Sequence, residues 1–209
     1  MPTGTKPRRA GLSRRDGVSR GRSCGLTGAL LVALALSACA SAPPPAFDLE
    51  AARGGYGARQ ARRAQIAVAE PAALPLLDGD RIVVRRSDAE VAYLSGAQWS
   101  NRLPQMLQAR LIASFQNASL IRAVVAPGLV ADYELRSQLR RFDYDAARGV
   151  AEVEIAVQIF GAAGRIVAGK VFVATAPASG GDPAAVVAAL NAASADVMRQ
   201  IVLWTAPKI

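Results

Sequence analysis

The stretch ADYELRSQLRRFDYDAARGVAEVEIAVQIF, residues 131–160, decides how the chain folds. Tyr133, Leu135 and Leu139 alternate with Glu134, Arg136, Gln138 and Arg140, the period of two that sends successive side chains to opposite faces of a sheet. Phe142 and Tyr144 then take the opposite phase. A one-residue shift inside a single run predicts a β-bulge near Arg140–Arg141. Beyond the DAARG turn, Val153, Ile155, Val157 and Ile159 alternate with Glu152, Glu154 and Gln158, the cleanest half-buried strand in the chain. GAAG then turns the chain into RIVAGKVFVATA, which completes a predicted meander of three strands.

Outward from the meander the period changes to that of helices. Downstream, Asp182 is placed to cap and Pro183 to open a helix whose apolar stripe is Val186, Leu190, Ala193, Val197, Ile201 and Trp204. Upstream, SNRLPQMLQARLIASFQNASL repeats Leu103, Met106, Leu107, Leu111 and Phe115 at spacings of three and four. Ser100 or Asn101 can cap this helix, Pro104 is tolerated in its first turn, and Asn117 is its expected end. A short apolar edge, Ile121–Val125, and a Pro127–Gly128 turn separate it from the meander. Before it, Arg81–Arg86 and Glu90–Leu94 read as a hairpin through Ser87–Asp88, and QIAVAE as the first strand of the domain. The expected fold class is α+β: a single, largely antiparallel β-sheet with two α-helices packed on one face.

The N-terminal third reads differently. Arg8, Arg9, Arg14, Arg15, Arg20 and Arg22 precede a strongly apolar run, Leu26–Leu36, whose eleven residues match a signal-peptide core of about 7–15 residues. A membrane span needs about 20, and Pro43–Pro45 would break a longer one. The paired arginines leave the export route, general secretory or twin-arginine, open. Leu36-Ser37-Ala38-Cys39 resembles the lipobox of bacterial lipoproteins, in which the cysteine thiolate takes a diacylglyceryl group and the chain is cut just before it. A multiply acylated Cys39 would hold the protein on a bilayer without a spanning helix. Ala40 after the cysteine favours, by the same resemblance, the outer membrane. The expected organisation is a signal peptide at 1–38, a lipidated flexible tether at 39–63 and a domain at 64–209.

Composition then excludes several function classes. The leader takes seven of the 25 Lys/Arg and one of the 16 acidic residues, so a net charge of +9 falls to +3 for the remainder. The basic leader, not a nucleic-acid surface, sets the overall charge, and no stripe of basic residues interleaved with aromatics follows it. Histidine is absent, which removes the commonest general base and metal ligand. Of the two cysteines, Cys24 belongs to the leader and Cys39 to the lipid, which leaves no pair for a disulfide. Glu152 and Glu154, with Asp143 and Asp145, invite an acid–base reading, but the alternation turns the two glutamates away from the apolar face, where carboxylates are ordinarily solvated. GAAG and SGGD lack the Lys and Ser/Thr of a phosphate loop. No catalysis, cofactor or metal is expected.

Several stretches carry a family resemblance. YLSGAQWSNRLPQMLQARL, ADYELRSQLRRFDYD, GRIVAGKVFVATAPASGGDPAAVVAALNAA and the terminal IVLWTAP are similar to the ABC-type transport auxiliary lipoproteins, the group that includes paraquat-inducible protein C. The similarity runs from about Ile66 to Ala206. It implies an outer-membrane lipoprotein facing the periplasm. Its implied partners are an ABC permease, its ATPase and an MCE-domain protein that together move lipids between the two membranes. Tyr93, Trp99 and Pro104 match the family's Tyr…Trp…Pro stretch. Two readings stand side by side for them: architecture at the strand-to-helix junction, or a surface for a partner or lipid. Trp204 is read as a core plug. An exposed β-edge would permit a homo-oligomer. The competing function is a structural or assembly lipoprotein for lipopolysaccharide or outer-membrane proteins, since small α+β domains on tethers serve there too.

Overall fold

The computed structural model describes residues 43–57, 61–178 and 180–209. The long strand β7, Tyr133–Asp145, lies at the centre of the sheet. Strand β8, Val150–Phe160, runs antiparallel along its whole length, and β9, Ile166–Pro177, pairs antiparallel with β8. The predicted bulge is present: Leu139 pairs with Ile155 but Arg141 with Glu154, so Arg140 is the extra residue.

The other side of β7 is shared. Strands β2 (Arg62–Val68) and β3 (Ala72–Ala73) pair with its first half and β4 (Arg81–Arg85) with its second, all parallel. Strand β5, Val91–Trp99, forms the expected hairpin with β4 and carries β1, Ala46–Phe47, in parallel on its far side. Strand β6, Ile121–Val125, runs parallel to β2. The sheet is therefore mixed, not largely antiparallel. The antiparallel pairs are those joined by a short turn. The parallel ones form between strands distant in sequence, which approach β7 only after the chain has been carried back, as parallel pairing requires.

Helix α1, Leu103–Ala118, opens with Pro104 in its first turn and buries Leu103, Met106, Leu107, Leu111 and Phe115. No side chain caps it: Asn101 Oδ1 accepts from the Arg102 amide, one residue too early, and Arg102 instead reaches Asp78 and Glu70. The helix passes Asn117 and stops at Ser119, whose φ of 53° ends the ladder. Helix α2, Pro183–Thr205, is capped as its sequence predicts, with an Asp182 carboxylate oxygen accepting from the Ala185 amide at 3.1 Å. Replacing Asp182 with alanine is expected to lower stability by about 1 kcal/mol in urea denaturation. Helix α2 lies against β8 and β9, α1 against β6 and β2, and the two helices touch.

Packing begins well before residue 64. Residues Pro44–Ile209 form one compact unit, and Leu49, Ala52 and Tyr56 belong to its core. The Ala52 amide donates to Ser114 Oγ at 2.9 Å on α1, and the Asn117 amide donates to the Ala52 carbonyl at 3.1 Å. Tyr56 donates to the same carbonyl, and burial pushes its phenol up from the ordinary range. Within the segment expected as tether, Leu49, Ala52 and Tyr56 thus belong to the core, and Ala52 is pinned to α1.

Candidate functional site

Cys39 lies outside the described residues. The three residues of the Tyr…Trp…Pro stretch are described, and the fold sends them to different places. Trp99 ends β5 at 1 % exposure, with its ring edge-on to Phe142 of β7 at 5.7 Å and 79°. Its amide donates to the Asp80 carbonyl at 2.7 Å. Pro104 is buried in the first turn of α1. Tyr93 alone keeps surface, half-buried, with the Arg81 guanidinium 3.5 Å above its ring. Between Tyr93 and Trp99 the strand bulges at Gly96, whose φ of 78° a side chain would resist. Trp99 and Pro104 therefore lie buried at the junction of hairpin and helix, and the three side chains do not share a surface. Trp204 packs edge-on against Phe172 of β9 at 5.4 Å.

Glu152 takes the face that alternation gives it but is not solvated there. Glu152 and Asp143 pair directly across β7 and β8, on the face opposite Phe142, yet Asp143 is 2 % exposed and Glu152 9 %. Arginines cover them. Arg141 bridges both, Nη2 to Asp143 Oδ1 at 2.9 Å and Nη1 to Glu152 Oε1 at 2.8 Å. Arg148 closes on Glu152 at 2.7 Å, and Arg85 of β4 lies 3.5 Å from Asp143. The Asp143 hydrogen bonds hold the Arg141 guanidinium above its already high ordinary range. Two carboxylates directly opposite would repel. The bulge at Arg140 removes the conflict by turning two successive arginines outward, Arg140 to Glu154 at 3.3 Å and Arg141 to the buried pair. Three guanidinium groups direct their donors at these two carboxylates, and the arrangement locks β4, β7 and β8 together. The sequence reading missed it because alternation reports which face a residue takes, not whether that face is covered.

The remaining candidate is surface. Six of the large exposed apolar side chains lie on β9 and at the end of the sheet where β7 begins: Leu129, Val130, Ile166, Val167, Val171 and Val173. At that end a hollow of about 510 Å³ opens between the 127–132 loop and the 161–164 turn, walled by Leu129, Tyr133, Arg136 and Phe160. Arg136 lies 4.7 Å from the Phe160 ring and pairs with Glu134 at 2.8 Å. Among the described residues no group of three or more His, Cys, Asp or Glu is placed to hold a metal ion.

Comparison with known proteins gives the chain's family and fold. Over 163 residues the chain is 29 % identical to the protein bll6063 of Bradyrhizobium diazoefficiens, covering 76 % of this chain but 44 % of that one. It therefore spans less than half of that relative's length. The crystal structure of protein XCC0632 from Xanthomonas campestris superimposes with a TM-score of 0.71 at 29 % identity, over 79 % of this chain and 96 % of that one. A second crystal structure, at 16 % identity and a TM-score of 0.59 over 78 % of this chain and 99 % of that one, shares the fold. The model of one family, the ABC-type transport auxiliary lipoprotein component, matches residues 47–202, from β1 into the last turns of α2. The chain belongs to the family of ABC-type transport auxiliary lipoprotein components.

Proposed function

We propose that the chain is a non-catalytic, lipid-anchored subunit of an MCE/ABC-type intermembrane lipid transport system, held at the outer membrane and facing the periplasm. The observation that carries this is the family match across residues 47–202, nearly the whole packed unit. The lipobox-like Leu36–Cys39 supports the anchor, because it stands just ahead of the residue at which packing begins. In this reading residues 1–38 are removed, the lipidated Cys39 holds the membrane, and the folded unit acts through its surface on the MCE-domain protein, permease or ATPase. The free side of β9, which pairs with β8 alone, is where copies of the chain would associate.

Three experiments test the reading. Cys39→Ala is expected to abolish palmitate labelling and, when the variant is exported behind a cleavable signal, to move the protein from the membrane to the soluble fraction. Deleting the gene with the transporter intact should raise sensitivity to detergent, and the lipidated protein should co-purify with the MCE protein or permease. Failure to recover any transporter component, or recovery of β-barrel or lipopolysaccharide assembly proteins instead, would overturn the proposal in favour of an assembly lipoprotein.

A further inference from the structure

The end of the sheet where β7 begins combines three features. The 127–132 loop presents Leu129 at 67 % and Val130 at 96 % exposure, and the β8–β9 turn adds Ile166 at 53 %. Isolated exposed aliphatics need no explanation, but a group at one pole, beside the 510 Å³ hollow with its Tyr133 and Phe160 walls, marks a contact surface.

Charge is the second feature. Strands β2 and β6 start at this end, because both run parallel to β7 and extend back beyond Tyr133. They bring Arg62, Arg63 and Arg122 there, and the β8–β9 turn brings Arg165, all exposed. None of these four has a carboxylate partner among the described residues. At the other end, Arg85, Arg141 and Arg148 are all neutralised by Asp143, Asp145 and Glu152. Four arginines of the sheet without a carboxylate partner are thus gathered around the apolar tip, while Arg81 and Lys170 lie over the Tyr93 and Phe172 rings; the four would steer an acidic partner.

The third feature is direction. Strand β1 is parallel to β5, β5 antiparallel to β4 and β4 parallel to β7, so β1 runs against β7. The chain therefore reaches Ala46 from the end at which β7 finishes, opposite the apolar tip. The tip is therefore the pole opposite the entry of the chain into the sheet at β1. This favours a protein over the anchoring bilayer as occupant.

We infer that this pole is the docking surface for an acidic segment of a partner protein. An aliphatic side chain of the partner sits in the hollow beside Leu129, Tyr133 and Phe160, and its flanking carboxylates meet Arg62, Arg63, Arg122 and Arg165. The inference rests on the transport reading for the partner's identity and adds the surface that takes it. The test measures binding of the purified periplasmic part of an MCE-domain protein from the same organism to the mature chain, by biolayer interferometry at low and high salt. Two double variants, Leu129→Asp with Val130→Asp and Arg122→Glu with Arg165→Glu, are compared with Asp88→Ala in the distant β4–β5 turn. Circular dichroism confirms that all three fold, since every substituted side chain is exposed. Both tip variants are expected to bind at least about tenfold more weakly, the loss of a hot-spot anchor, while Asp88→Ala binds like the parent. Raising salt should weaken the parent and leave the arginine variant little changed. Equal binding by parent and tip variants overturns the docking surface and leaves the transport reading standing; absence of binding by the parent overturns both. Tip variants that lose only binding to phosphatidylglycerol vesicles would overturn the inference in favour of a membrane contact.

Discussion

Replacing Trp99 with alanine is expected to remove about 3–5 kcal/mol of folding stability, the largest effect of any single truncation in this chain. The side chain is 1 % exposed and meets Phe142 edge-on, a geometry that adds to plain area burial. It also stands where three elements converge: Phe47 of β1 pairs with it, the β4–β5 hairpin ends on it, and α1 starts four residues later. No neighbouring chain can collapse into the space without dragging one of these elements. Against a total of about 5–15 kcal/mol for a domain, the variant should unfold at much lower urea and sit close to the edge of folding at 37 °C. Trp99→Phe keeps an aromatic edge against Phe142 and should lose clearly less. Trp204 remains as the fluorescent reporter in both, because the chain has two tryptophans. The experiment also separates the two readings of the Tyr…Trp…Pro stretch. A variant with parental stability and lost partner binding would mean that Trp99 acts at a surface, against its burial.

How much of this was legible in the residues depends on how far apart the interacting partners lie. The meander, its bulge at Arg140, the β4–β5 hairpin and the Asp182 cap are written within a few residues of themselves, and alternation, turn chemistry and capping found them. The parallel partners of β7 are not. Val83 and Asp143 are level in the sheet although sixty residues separate them, and nothing local to RIVVR says which strand it joins, or in which direction. The same limit hid the burial of Leu49 and the docking of Ala52 on α1, since a segment rich in alanine, glycine and arginine reads as tether until the core that receives it is in place. At the apolar tip, Leu129 and Val130 carry no local signal beyond the Pro127–Gly128 turn that precedes them. Their meaning came from the β8–β9 turn and the β2 and β6 starts gathering around them, which is a property of topology and not of sequence order.

The second large effect is expected at Arg141. Truncation to methionine leaves Asp143 and Glu152 facing each other across β7 and β8 with their bridging cation gone, while Arg85 at 3.5 Å and Arg148 at 2.7 Å compensate only in part. Breaking one side of a fully buried pair costs about 3–5 kcal/mol. A quarter of the Arg141 side chain meets water, so the loss should be smaller, about 2–3 kcal/mol in urea denaturation. The origin of that loss is testable. If Arg141 stabilised the sheet by packing its aliphatic stem, Asp143→Leu would add its own cost to that of Arg141→Met. If the loss is the uncompensated carboxylate, the double variant should recover at least about 1 kcal/mol relative to the sum of the two single changes, because contacting charges couple and an apolar pair can replace them. Additive losses would mean that the bulge at Arg140 shapes the strand for another reason. Recovery would mean that the extra residue is there to turn Arg141 toward two acids that the strand register forces together.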